Sequence, residues 1–136
     1  GLAAAEGAPP PRKEPRAARP APEAPAGAEL KLLSFALVPA RLRGGEKYGF
    51  SAELQVTDRG APPGGELPVK MRFRVLQGGR TLFSSAERTL DCPNGQVATI
   101  HKRDLPSAEE KGIYRVEVIC TYRGRTARGE ADLTLE

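Results

Sequence analysis

An all-β body, built as a two-sheet antiparallel sandwich of seven or eight strands behind an extended arm, is the fold class this sequence predicts. Three observations predict it. From residue 29 onward apolar and polar residues alternate with period two, glycine- and proline-bearing turns interrupt that alternation at short intervals, and no segment carries a convincing helical repeat. Alternation of that kind is what a strand with one buried face requires, because successive side chains leave a pleated backbone on opposite sides.

The arm comes first. Seven of the 13 prolines and nine alanines fall in residues 1–27, with almost nothing that can be buried. Such a stretch cannot offset the entropy of ordering itself, so it is expected to be an extended, polyproline-like tether, leaving residues 28–136 as the folded body. Tethers of this composition often separate an anchor or a further domain from a module; an ordinary disordered terminus is the alternative reading.

The strands follow in order. "ELKLLSFALV" is apolar on both faces, as in a strand covered on both sides or a mispaired edge, and Pro39 ends it. "YGFSAELQVT" is the clearest alternation, with Tyr48, Phe50, Ala52, Leu54 and Val56 facing inward. "VKMRFRV" puts Val69, Met71, Phe73 and Val75 inside and Lys70, Arg72 and Arg74 outside. "RTLFSS" follows the "QGGR" turn, whose glycines tolerate the positive φ of a tight hairpin. "AERTLDC" is the optional eighth strand, and the "PNG" turn leads into "QVATIHKRDL". "YRVEVICTY" places Tyr114, Val116, Val118, Cys120 and Tyr122 on one face, and "ARGEADLTL" places Ala127, Ala131, Leu133 and Leu135 inward. "PSAEEKG" offers a cap and the acidic first turn of a helix, enough for a single turn. An up-and-down barrel is the alternative arrangement of the same strands.

Glu110, Gly112 and Tyr114 stand at an acidic-x-Gly-x-Tyr spacing just before a strand. That segment resembles the tyrosine corner of immunoglobulin domains, in which the tyrosine hydroxyl ties the incoming loop to the strand. The resemblance implies an immunoglobulin-like sandwich over residues 30–136. It also departs from the family, since Val116 occupies the expected cysteine position and "YGFSAELQVT" has no cysteine to pair with it. Apolar contacts of Phe50, Ala52 and Val116 are expected to replace that pin. The departure fits a bacterial-type immunoglobulin-like or fibronectin-like module better than an antibody-family domain.

Cys92 and Cys120 are the only cysteines. A body with four Phe, three Tyr and no Trp has few large core residues, and a disulfide formed in an oxidising compartment is the expectation, with two buried thiols as the alternative. It would close a loop worth on the order of 3 kcal/mol.

The residues point away from catalysis and cofactors. His101 is the sole histidine, Met71 the sole methionine, and no C-x-x-C pair occurs, so a zinc or copper set cannot be assembled from nitrogen and sulfur donors. His101 and Asp104, three residues apart in a strand, point to opposite faces, and no nucleophile elbow, phosphate loop or dinucleotide fingerprint is present. No enzyme and no cofactor are expected. A net charge of +4 falls far short of the basic stripe of a nucleic-acid binder, and no run reaches the length of a membrane span.

If the immunoglobulin layout holds, Lys70, Arg72 and Arg74 lie beside Arg115, Glu117 and an exposed Ile119 on the outside of one sheet, with Arg123, Arg125 and Arg128 crowding the last hairpin. This face is the candidate for contact with an anionic surface or an acidic protein. The expected function is a non-catalytic structural or interaction module of an exported envelope or extracellular assembly, such as a filament subunit or a protein decorating one. The arm serves as tether or docking element, and the partner is a protein or a second copy. The alternative is a protease-inhibitor-like or carbohydrate-binding domain working through the "DRGAPPGGELP" and "RGRTAR" loops.

Overall fold

The computed structural model describes residues 27–136. The arm expected over residues 1–27 lies, but for Gly27, outside the described residues. The rest forms nine strands and, among the described residues, no helix: β1 (Ala28–Val38), β2 (Arg41–Leu42), β3 (Lys47–Asp58), β4 (Glu66–Gln77), β5 (Arg80–Ser84), β6 (Arg88–Pro93), β7 (Val97–Pro106), β8 (Gly112–Tyr122) and β9 (Arg125–Leu135). They make a sandwich. One sheet has the order β1-β3-β7; the other runs β2-β9-β8-β4, with β5 and β6 both paired to the far edge of β4. Where β5 gives way to β6, Ser85 keeps the edge satisfied: its backbone N–H donates to the Phe73 carbonyl and its hydroxyl accepts from the Phe73 N–H.

The inward positions meet in one core. Phe50, Ala52, Leu54 and Val56 from β3 face Val69, Met71 and Phe73 from β4, Val116, Val118 and Cys120 from β8, and Leu133 and Leu135 from β9. Val116 is 0% exposed, so packing fills the place where the resemblance called for a cysteine. All four phenylalanines form one file through the body: Phe35 to Phe50 at 5.3 Å between ring centres, Phe50 to Phe73 at 5.6 Å, and Phe73 to Phe83 at 5.6 Å.

Three local expectations are corrected. The two apolar faces of β1 come from a bulge: the register with β3 skips between Leu32 and Ser34, so Leu30 and Leu32 face the core before it, Phe35 and Leu37 after it, and Leu33 is left outside. The single helical turn at "PSAEEKG" does not form. There the Ser107 hydroxyl donates to the Glu46 carbonyl at 2.5 Å and the Ala108 carbonyl accepts from Gly45 N–H at 2.9 Å, so the loop docks on the β2–β3 turn instead of capping itself. The third correction concerns the cysteines, which are two separate buried thiols. Cys92 pairs with Leu67 and Cys120 with Met71 on opposite edges of β4, so two strand spacings, roughly 10 Å, lie between their backbones. A disulfide needs its Cα atoms within about 7 Å.

β2 had no counterpart in the sequence reading. It is a two-residue parallel pairing onto β9, entered through a cis Val38–Pro39 bond. Gly129 of β9 explains how β1 crosses so near: a Cβ there would run into Leu32 Cδ2 and Phe35.

Candidate functional site

The outer face of the six-stranded sheet is laid out by register. Arg72 stands opposite Ile119, Arg74 opposite Glu117, and Ile119 opposite Arg128, so cations from β4 and β9 flank β8 on both sides. Glu117 organises them. It is 5% exposed, accepts from Arg74 Nε at 2.8 Å and Arg74 Nη2 at 2.5 Å through Oε1, and accepts from Arg128 Nη1 at 3.2 Å through Oε2. Burial pushes this carboxyl up, but the two guanidinium groups outweigh it and leave the group below the ordinary carboxylate range. Glu117 is therefore an anion that fixes two arginines in place.

Ile119 corrects the expectation of an exposed apolar residue. It is 4% exposed, outside the main core, with Arg72 and Arg128 as its cross-strand partners. Long basic side chains cover apolar surface with their methylene stems while their charged heads stay in water, which accounts for that burial. Arg115 sits lower on the same face beside Glu130 at 3.2 Å and Asp132 at 3.6 Å. Lys70 opens the row opposite Thr121.

The structure does not bring Arg123 and Arg125 to this face. Arg125 Nε donates to the Ala28 carbonyl at 3.0 Å, holding the start of β1, and Arg123 Nη1 lies 3.5 Å from Asp58 Oδ2. Both belong to a polar knot that the sequence reading missed. Asp58 is 1% exposed and accepts from the Tyr122 hydroxyl at 2.6 Å and from Gly60 N–H at 2.9 Å. The Tyr122 hydroxyl first, then the Gly60 amide, hold its carboxyl below the usual range. Asn94 completes the knot, accepting from Asp58 N–H at 2.9 Å and donating to the carbonyls of Asp58, Ala61 and Pro62 at 2.8, 3.3 and 3.1 Å. The 58–66 loop is thereby tied to the "PNG" turn. Its sequence signals were the Asp-x-Gly of an Asx-type turn and the asparagine before Gly95.

At the other end, the Tyr114 hydroxyl donates to the Glu110 carbonyl at 2.8 Å, the bond that defines a tyrosine corner. The thiols are chemically quiet: burial, reinforced by the neighbouring Cys92, pushes Cys120 up to about 11, and burial with Asp91 pushes Cys92 up.

No protein-family model matches the chain, and no curated protein matches it. Solved structures do. A cycloisomaltooligosaccharide glucanotransferase from Paenibacillus sp., complexed with cycloisomaltoheptaose, aligns at TM-score 0.63 and 12% identity over 79% of this chain, which spans only 14% of that enzyme. The CARDB domain of a Pyrococcus furiosus protein, in complex with di-metal ions, aligns at 0.52 and 11% identity, covering 81% of this chain and 96% of that one. A Bifidobacterium adolescentis β-glucosidase aligns at 0.52 and 17% identity over 79% of this chain and 17% of its own. At such identities the likeness is one of fold. Two sheets in this strand order, closed by a tyrosine corner and aligned with these bodies, make the chain an immunoglobulin-like β-sandwich domain.

Proposed function

We propose that this chain is a non-catalytic interaction module of an exported cell-envelope or extracellular assembly, of the kind that forms or decorates a filament, and that it engages an acidic protein surface through the outer face of its larger sheet. The observation that supports this reading is the arrangement around Glu117, where one buried carboxylate holds Arg74 and Arg128 in place beside Lys70 and Arg72. Cations positioned before contact lose little side-chain freedom on binding, which favours recognition of an anionic surface over mere solvation. The arm, residues 1–27, tethers or docks the module. The carbohydrate-binding reading lacks a platform in the tyrosines, since Tyr48, Tyr114 and Tyr122 are all buried.

The test is retention on immobilised polyglutamate at rising salt, comparing the wild type with Lys70→Glu/Arg72→Glu. Retention that weakens steeply with salt and disappears in the double variant is expected. Equal retention of the two proteins overturns the reading.

A further inference from the structure

Along one side of the sandwich the two sheets part. β5 and β6 lie in succession on the outer edge of β4, β7 is one of the two edges of the smaller sheet, and mostly apolar side chains line the space on that side. One cleft of about 280 Å³ has Leu82, Phe83 and Leu105 on its walls and the buried Tyr48, Phe73 and Tyr114 beneath them. A second, of about 270 Å³, shares Phe73, Phe83 and Leu105 with it and is rimmed by Arg88 and Lys102. Together they form one groove. The phenylalanine file ends in it: Phe83 is 52% exposed and Leu82 43%, on a strand whose five residues are all exposed. A bare apolar edge of this kind invites pairing with other chains unless something covers it.

We propose that the groove is the seat of the chain's own proline-rich segment, residues 9–25. That segment holds seven prolines and four alanines. Proline rings pack against aromatic side chains, and a backbone whose φ is already restricted loses little freedom on docking, which is how aromatic-lined grooves take proline-rich chains. The segment carries four cations and two carboxylates, so apolar contact and not charge is what seats it beside Arg88 and Lys102.

The reach suits the same molecule. Gly27 lies against Arg59, at the end of the body where β3 finishes. At about 3.1 Å per residue in an extended proline-rich chain, residues 25 to 9 lie between about 6 and 56 Å along the chain from Gly27. The 12-residue β3 is about 40 Å long, so the segment covers the length of the body. The groove is on the side of the sandwich and not on the outer sheet face, so failure here leaves the acidic-surface reading untouched.

The experiment is limited trypsin digestion of the full chain, followed at Lys13 and Arg16 within the segment. Leu82→Ser/Phe83→Ser is expected to speed cleavage there about tenfold or more while cleavage within residues 28–136 stays unchanged. Equal rates in the two proteins overturn the proposal. Because Phe83 touches Phe73, a second variant leaves the groove intact: Pro9→Ser/Pro10→Ser/Pro11→Ser is expected to shift the side-chain NMR signals of Leu82 and Phe83, and unmoved signals overturn it. Protection of Arg16 is expected to be independent of protein concentration. Protection lost on dilution overturns the assignment to the same molecule.

Discussion

Reduction of the purified protein separates two physical pictures of its cysteines. A bridge between Cys92 and Cys120 would close a loop worth on the order of 3 kcal/mol. For a body of this size 1 kcal/mol moves the melting temperature by about 4 °C, so adding a reductant would lower it by about 12 °C. The structure instead puts the two residues on strands flanking β4, both as free buried thiols, and the expected shift is zero. Reactivity carries a second magnitude. Burial, reinforced by Cys92, pushes Cys120 up to about 11, so its thiolate fraction at a mildly alkaline pH is on the order of 100-fold below that of an ordinary cysteine before hindered access is counted. The assay is intact-mass spectrometry and thiol labelling with and without denaturant, run beside thermal melts with and without reductant. Two labels only after unfolding, at the fully reduced mass, are expected. A mass lower by two hydrogens together with a melting temperature that falls on reduction refutes the argument.

Three further outcomes are expected. Gly129→Val places a side chain where β1 crosses β9 against Leu32 and Phe35, so it destabilises by about 1–3 kcal/mol in urea unfolding, and a neutral result contradicts that crossing. Tyr114→Phe removes the hydroxyl bond to the Glu110 carbonyl at a cost of about 1 kcal/mol, read from the same midpoints; no change means the corner tie is idle. Glu117 sets a pH dependence: its folded carboxyl titrates below its unfolded value of 4.5, so its stabilisation is complete above that value and is lost as pH falls through the folded one. Glu117→Gln is expected to flatten, though not abolish, the acid limb of stability, because Asp58 is also held low; an unaltered limb excludes the Arg74–Glu117–Arg128 group as its source.

What could be read in the sequence was whatever alternation and turn chemistry determine. β3, β4, β8 and β9 are long and alternate over most of their length, and the inward residues of all four stand where the period-two pattern put them. Tyr114 could be read because a local spacing encodes a local bond. Most of the misses have a common cause, dependence on which strand lies next to which. A bulge in β1 breaks parity at one residue, and alternation alone reads that as two apolar faces. The separation of the cysteines depends on β4 lying between β6 and β8, which spacing along the chain does not carry. Ile119 sits at an outward position yet is buried, because its covering comes from arginines on neighbouring strands. β2 is too short for any periodicity.

The two ends and the open side of the body differ in a way that bears on partners. At one end the buried Asp58, Asn94 and Tyr122 lock the 58–66 loop and the β8–β9 hairpin through bonds that are mostly inside the body, so recruiting these loops for a partner would mean breaking a satisfied buried network. Two surface cations there are already committed, Arg123 to Asp58 and Arg125 to Ala28. On the open side the reverse holds: Phe83 and Leu82 present apolar area whose covering releases water and breaks no bond within the body. The outer sheet face lies between these extremes, since its arginines are held at one end by Glu117 and still present charge to solvent. Contact made through this face keeps the Glu117 bonds intact, whereas contact through the 58–66 loop has to compete with Asn94. The sheet face and the open groove are therefore the surfaces on which a new contact adds to the existing bonds of the fold.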